Sequence, residues 1–145
     1  MTAAGELAGI GIQLDQQDPR VQRALVFIVT HYLRPITVAE IRNAAGCSER
    51  TLQARFRSDL AMHPSEAVLR LRLQRARQIL QQSSGILLVK SVAQSVGIAH
   101  AGRFAVRYRE QYGETPTQTL HRRLDGDWAE RAKRISRTPF PWRRE

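Results

Sequence analysis

Cysteine is nearly missing from this chain of 145 residues, since Cys47 is its one thiol. A single cysteine excludes an internal disulfide, which agrees with a reducing compartment. No window approaches the roughly 20 apolar residues of a membrane-spanning helix. The N-terminus also lacks the basic and apolar segments of a secretory signal. We therefore expect a soluble cytoplasmic protein with no membrane among its partners.

Lysine is also scarce. Of the 23 lysine and arginine residues, only Lys90 and Lys133 are lysines. Against 13 acidic residues, the net charge is +10. This balance indicates a polyanionic partner, with an anionic membrane surface as the alternative. Arginine suits bidentate contacts to phosphate or guanine, although a GC-rich genome would produce the same bias.

Acidic residues are missing from the whole stretch between Ala67 and Arg109, which contains eight Lys and Arg residues. Such a run is typical of a surface that faces a polyanion, although some of these arginines could simply cover a helix. The four histidines and Cys47 lack the spacing of metal ligands. No phosphate-binding loop, nucleophile–base pair or paired carboxylates are present. We expect no enzyme activity, no metal and no cofactor.

The segment Thr37–Arg57 predicts two helices separated by Gly46. Thr37 and Glu40 have the spacing of a capping box for the first helix. Ser48 is a good N-cap for the second helix, which places Leu52 and Phe56 on one apolar face. Helix, glycine turn and amphipathic helix are typical of a helix-turn-helix motif, although other helical hairpins share this pattern.

The second half of the chain repeats the first, with one extra residue in the turn. Val89, Val92, Val96 and Gly97 lie 51 residues after Val38, Ile41, Ala45 and Gly46. Phe104, Tyr108, Tyr112 and Pro116 lie 52 residues after Leu52, Phe56, Leu60 and Pro64. The repeat favours two helix-turn-helix units, with a purely structural duplication as the alternative.

We therefore expect an all-α fold of about seven helices, with two homeodomain-like helix-turn-helix subdomains joined by a long central helix. Asp18 and Pro19 mark the start of the first helix. The expected division is a leader or linker at 1–18, the first subdomain at 19–64, the joining helix at 65–83, the second subdomain at 84–124 and a partly disordered basic tail at 125–145.

The segment RLRLQRARQIL (70–80) and the closing segment from Gly97 through GRF (102–104) to YGETP (112–116) resemble the AraC/XylS family of bacterial transcription regulators. The resemblance covers about residues 19–123. It implies sequence-specific binding of double-stranded DNA and regulation of transcription initiation, with recognition helices at 48–60 and 100–112 in adjacent major grooves. It also implies recruitment of RNA polymerase and a nucleoid-associated location.

Many members of that family carry an effector-binding or dimerisation domain before this one. Only about 18 residues precede it here. We therefore expect either a fragment or a short stand-alone member, with no small-molecule effector site in this chain. Two alternatives to a sequence-specific regulator stay open. One is a basic helical module that docks on RNA polymerase or an acidic partner, and the other is an architectural, non-specific DNA binder.

If Leu52 and Phe56 point inward, the outer face of the first recognition helix carries residues at i, i+3, i+4 and i+7. A solvated helix face without function is the alternative interpretation. The predicted base contacts are Arg50 to guanine, Gln53 to adenine and Ala54 to a thymine methyl group. The predicted phosphate contacts are Ser48, Thr51 and Arg57.

The equivalent face of the second recognition helix carries fewer polar side chains, so we expect the first unit to set most of the sequence preference. In the second recognition helix, the predicted base contacts are Gly102 and Val106. The predicted phosphate contacts of that helix are His100, Arg103, Arg107 and Arg109. Arg42 departs from the family pattern, which has a small alanine where two helices cross, as at Ala93. Arg42 must either extend outward to solvent or loosen that crossing.

Overall fold

The computed structural model describes residues 2–82 and 88–122, and those residues form α-helices and no β-strand. The helices are α1 (Ala3–Gly9), α2 (Pro19–His31), α3 (Val38–Ala45), α4 (Glu49–Leu60), α5 (Pro64–Gln82), α6 (Val89–Ser95), α7 (Ala101–Tyr112) and α8 (residues 116–122). The predicted all-α fold is confirmed. Within these two ranges, no helix is long and apolar enough to cross a membrane. The predicted tail (125–145) and the predicted end of the joining helix at residue 83 lie outside the described residues.

Helix α1 lies where the sequence predicts an irregular leader, and it is the main departure from that prediction. Thr2 caps it by accepting a hydrogen bond from the Gly5 amide at 3.1 Å. Leu7, Ile10 and Ile12 are buried in the core of the first half of the molecule. A helix of seven residues is too short for its periodicity to stand out, and its stability comes from tertiary packing. The leader is thus corrected to a packed helix.

The starts of α2 and α3 follow from local sequence signals. Asp18 accepts a hydrogen bond from the Arg20 amide at 2.8 Å, and Pro19 is the first helical residue. At α3, the Glu40 amide donates to the Thr37 hydroxyl at 3.2 Å, and the Thr37 amide donates to the Glu40 carboxylate at 2.8 Å. The predicted capping box is therefore present.

Two glycines with positive φ form the turns between the paired helices. Gly46, with φ of 74°, separates α3 from α4, and Gly97, with φ of 85°, separates α6 from α7. Only glycine adopts this left-handed conformation without strain. The predicted unit of helix, glycine turn and helix therefore occurs twice, and its second helices are α4 and α7.

In the part of the chain that the structure describes, the buried apolar residues form two separate clusters, and α5 contributes to both. Ala67, Val68 and Leu71 pack in the first cluster with residues of α1 to α4. Leu73, Ala76 and Leu80 pack in the second cluster with residues of α6, α7 and α8. The change from one cluster to the other occurs between Leu71 and Leu73, so α5 is the element that both cores share.

Candidate nucleic-acid interface

The outer face of α4 has the geometry that the helical spacing predicts. Leu52 and Phe56 are buried, which fixes the rotation of the helix about its axis. Arg50, Ala54 and Arg57 are consequently exposed on the opposite side, and Gln53 is half-buried. The guanidinium groups of the two arginines have no hydrogen-bond or ion-pair partner among residues 2–82 and 88–122.

Glu49 and Ser48 hold two of the polar side chains of α4 in place. The Gln53 amide donates to the Glu49 carboxylate at 3.2 Å, across one turn of the helix. The Ser48 hydroxyl accepts a hydrogen bond from the Thr51 amide at 3.1 Å and lies 3.0 Å from the Thr51 hydroxyl. Ser48 therefore acts first as the N-cap of α4.

The rotation of α7 about its axis is also fixed by two buried residues, and in this helix both are aromatic. Phe104 and Tyr108 face the second core, and their rings lie 5.7 Å apart. Gly102 and Val106 are exposed on the outer face, and Val106 has 59% of its surface accessible. This face is small and apolar where α4 carries Arg50 and Gln53.

The cationic residues of α7 fall into two groups. Arg103 and Arg109 are exposed and make no side-chain bond to any residue that the structure describes. Arg107 instead pairs with Glu66 of α5 and also lies 3.3 Å from the Glu110 carboxylate. The phosphate contact predicted for Arg107 therefore competes with two carboxylates. His100 is the N-cap residue of α7, but its side chain accepts no capping bond.

A buried polar network ties α7 to α8. The Tyr108 hydroxyl lies 2.8 Å from the Thr119 hydroxyl, which donates to the Glu114 carboxylate at 2.7 Å. Glu114 also pairs with Arg122. Burial raises the pKa of Tyr108 above its ordinary value, and the Thr119 hydrogen bond opposes that rise. The network satisfies polar groups inside the second core and supports the back of α7.

One arginine of α2 and one of α5 donate hydrogen bonds to backbone carbonyls at the two glycine turns. Arg23 of α2 donates to the Ala45 carbonyl through Nε at 3.2 Å and Nη2 at 2.9 Å. Arg72 of α5 donates to the Gly97 carbonyl at 3.1 Å. The last carbonyls of a helix have no partner within the helix, so a guanidinium satisfies them. No sequence pattern revealed these contacts, because a backbone acceptor carries no residue signature.

Arg42 of α3 extends to solvent. Its side chain is half-buried, and its guanidinium forms no hydrogen bond within the described part of the chain. Its nitrogen atoms are nevertheless not buried. They therefore reach water, with the aliphatic stem covering apolar surface. This arrangement favours the outward-extending alternative over a loosened crossing.

Two helix-turn-helix pairs, each with an exposed outer face and with arginines on its second helix that are unpaired within the described residues, define a double helix-turn-helix DNA-binding domain. A family model described as a helix-turn-helix domain matches residues 41–122. A probable thc operon regulatory protein from Rhodococcus erythropolis is 33% identical over 101 residues, which are 69% of this chain and 30% of that protein. The chain thus spans about a third of the length of such relatives.

Solved structures have the same fold. A probable AraC family transcriptional regulator from Rhodopseudomonas palustris CGA009 matches with a TM-score of 0.70 and 30% identity, over 73% of this chain and 98% of that one. The DNA-binding domain of AdpA, in complex with a target DNA, matches in fold with a TM-score of 0.61 and 24% identity, over 82% of this chain and 98% of that one. This chain belongs to the AraC family of helix-turn-helix DNA-binding domains.

Proposed function

We propose that this domain binds duplex DNA sequence-specifically, with α4 and α7 in adjacent major grooves, and regulates transcription initiation. The repeated unit carries the proposal, since each of Gly46 and Gly97 precedes a helix with an exposed outer face. At ~1.5 Å per residue, the 19 residues of α5 span roughly 28 Å. Successive major grooves on one face of B-DNA are ~34 Å apart. Residues 19–64 and 84–124 would then be the two DNA-contacting subdomains.

In the first unit, α4 reads base edges. Arg50 is free to donate two hydrogen bonds to a guanine, and Gln53 contacts adenine once its amide leaves Glu49. Ala54 is short enough to touch a thymine methyl group. The phosphate contacts of this unit come from Arg57 together with Ser48 and Thr51 at the start of α4, where the helix dipole attracts anions.

In the second unit, α7 contributes mostly affinity. Gly102 and Val106 approach the bases through van der Waals contact and carry no hydrogen-bond donor in their side chains. Phosphates are contacted by His100, Arg103 and Arg109, and by Arg107 only when it leaves Glu66. The sequence preference of the complex therefore comes chiefly from α4, with DNA shape contributing at the second groove.

Selection of binding sites from a random duplex pool tests this proposal. We expect a motif of two half-sites about one helical turn apart, with stronger base preference in the half-site bound by α4. Replacing Arg50 and Gln53 with alanine should remove the preferences in that half-site only. Retention of duplexes without a common motif would overturn sequence-specific binding, and equal base preference in both half-sites would overturn the division of roles.

We further propose that the domain contacts the transcription machinery and that this partner is RNA polymerase. A relative described as an operon regulatory protein supports this proposal. The test is transcription in vitro from a promoter that carries the selected site, with purified bacterial polymerase. Addition of the domain should change the transcript yield from that promoter and not from one whose half-sites are scrambled. An unchanged yield from both promoters would overturn the regulatory part of the proposal.

A further inference from the structure

Arg72 of α5 is hydrogen-bonded to both halves of the molecule. Its Nε donates to the Tyr32 carbonyl at 2.7 Å and its Nη2 donates to the Arg34 carbonyl at 3.0 Å. Its Nη1 donates to the Gly97 carbonyl at 3.1 Å. Tyr32 and Arg34 follow α2 of the first unit, whereas Gly97 is the turn of the second. One rigid guanidinium thus binds three carbonyls from two segments that are far apart in the chain.

The position of Arg72 along α5 explains why it reaches both halves. The neighbouring Leu71 belongs to the first core and Leu73 to the second. Arg72 is therefore located where one core ends and the other begins. Among the described residues, its guanidinium makes the hydrogen bonds that connect the end of α2 to the turn between α6 and α7. Burial lowers the pKa of Arg72 from its ordinary value, yet three carbonyl partners compensate the charge.

Gly97 leaves room for this contact. A Cβ atom at position 97 would lie 3.2 Å from Cζ of Arg72, closer than ordinary van der Waals contact. At Gly46, the matching turn of the first unit, a Cβ atom would lie 3.7 Å from Nη2 of Arg23. Both glycines have a positive φ. The second turn is therefore restricted twice, once by its backbone conformation and once by the closeness of the guanidinium.

We propose that Arg72 is a positioning residue that fixes the separation and angle of α4 and α7, and thereby sets the half-site spacing that the domain accepts. The proposal rests on DNA binding by both helices. The turn of the second unit leads directly into α7, so holding Gly97 against the end of α2 holds α7 relative to the first unit. One additional base pair moves a half-site by ~3.4 Å and rotates it by about a tenth of a turn. A rigid connection does not follow that change.

The first experiment measures the affinity of the domain for DNA with altered spacing. The DNA is the selected site at its natural spacing, or with one base pair inserted or removed between half-sites. Wild type should lose about tenfold or more in affinity at either altered spacing. Arg72→Met keeps the apolar stem and removes the three hydrogen bonds. The loss of affinity at altered spacing, which we call the spacing penalty, should therefore fall below about threefold in this variant. Arg75→Met is the matched control, because exposed Arg75 bonds only Gln78, on its own helix, among residues 2–82 and 88–122. It should retain the wild-type penalty.

The second experiment measures the geometry without DNA. Spin labels at Ala39→Cys of α3 and Gln94→Cys of α6, both exposed, are placed in a Cys47→Ala background, and double electron–electron resonance gives the distance between them. Wild type and Arg75→Met should each show one narrow distribution. Arg72→Met should show a broad one. Arg72→Lys, which keeps the charge without the planar fork, provides a second test if Arg72→Met does not fold, and it should also broaden the distribution.

The two experiments separate failure of this inference from failure of the proposed function. If wild type does not bind the duplex, DNA binding fails while the spectroscopic distances still test the role of Arg72. If Arg72→Met and Arg72→Lys keep both the narrow distribution and the full spacing penalty, the positioning role is overturned. A broad distribution together with an unchanged penalty would also overturn it, because spacing would then be set elsewhere.

Discussion

The side-chain amide of Gln53 donates to the Glu49 carboxylate at 3.2 Å, one turn earlier on α4. The residue proposed to read adenine is therefore held by an acidic neighbour in the absence of DNA. Glu49 lies in the first turn of α4, where a negative charge stabilises the helix. The same charge repels DNA phosphates. Glu49 thus favours folding and opposes binding.

This relationship predicts different effects for substitutions at the two positions. Gln53→Ala should weaken binding to the selected site by about 1–3 kcal/mol and relax preference at one base pair. Glu49→Gln should tighten binding to all duplexes alike, because it removes a negative charge near the phosphates. Fluorescence anisotropy on the selected site and its single-base variants measures both effects. Uniform weakening by Gln53→Ala across all variants would contradict a role in base reading.

Arg103 and Arg107 of α7 should differ in their effect on salt dependence. Arg103 has no protein partner in the described residues, whereas Arg107 pairs with Glu66 and Glu110. Arg103→Ala should lower the slope of log affinity against log salt by about 0.9, the value for one phosphate contact. Arg107→Ala should change the slope less and should lower the melting temperature. Titrations between low and moderate salt measure the slope, and equal reductions for the two variants would show that Arg107 leaves its carboxylates to bind DNA.

Arg42 should be nearly neutral for stability despite its place at a helix crossing. Because its guanidinium reaches water, Arg42→Ala should change the free energy of unfolding by no more than about 0.5 kcal/mol. Ala93 is the equivalent residue in the second unit and is buried. The reverse change, Ala93→Arg, should cost at least about 2 kcal/mol. Urea denaturation measures both, and a clear gain in stability from Arg42→Ala would instead indicate a strained crossing.

The packing of α1 predicts that its apolar residues stabilise the domain. Leu7 is fully buried, whereas Leu88 has 67% of its surface exposed. Leu7→Ala should lower the free energy of unfolding by about 2–5 kcal/mol, through lost burial and the cavity that remains. Leu88→Ala makes the same chemical change and should stay within about 0.5 kcal/mol of wild type. Thermal denaturation of the two variants measures the difference. Similar melting temperatures for Leu7→Ala and Leu88→Ala would mean that α1 does not stabilise the core.

The raised pKa of Tyr108 predicts that the domain loses stability at alkaline pH. Burial raises its pKa above the ordinary value of 10.0, and burial also raises the pKa of Tyr32 and Tyr112. A folded pKa above the unfolded pKa means that this stability is complete below about pH 10 and is lost as the pH rises through the folded pKa. Tyr108→Phe should cost about 1 kcal/mol at neutral pH, from the lost Thr119 bond. It should also show a shallower decline above pH 10 in urea denaturation, and parallel declines would argue against a contribution from Tyr108.

Local signals in the sequence predict the starts of α2, α3 and α4 and the two glycine turns. The capping box of Thr37 and Glu40 and the positive φ of Gly46 and Gly97 depend on residues close in the chain. The sequence does not predict helix α1, because it is short and is stabilised by distant residues, among them Gln74, which donates to the Glu6 carbonyl at 2.9 Å.

The candidate site shows the same division between local and distant determinants. The outer face of α4 follows from the burial of Leu52 and Phe56, so the sequence predicts which side chains are exposed. The pairing of Arg107 with Glu66 joins residues 41 positions apart, and helix periodicity contains no information about it. Base and phosphate contacts stay predictions, since they depend on the DNA as well as on the chain.

The acceptors of Arg72 are backbone carbonyls, and this has a consequence for the evolution of such domains. A carbonyl is present whatever side chain its residue carries, so Tyr32 and Arg34 can be substituted without removing an acceptor. Coevolution of side-chain pairs would therefore not detect this contact. Its trace among homologous sequences would be an arginine retained at position 72 together with a glycine retained at 97. The outer faces of α4 and α7 are then free to diverge toward new operators while the distance between them is inherited unchanged.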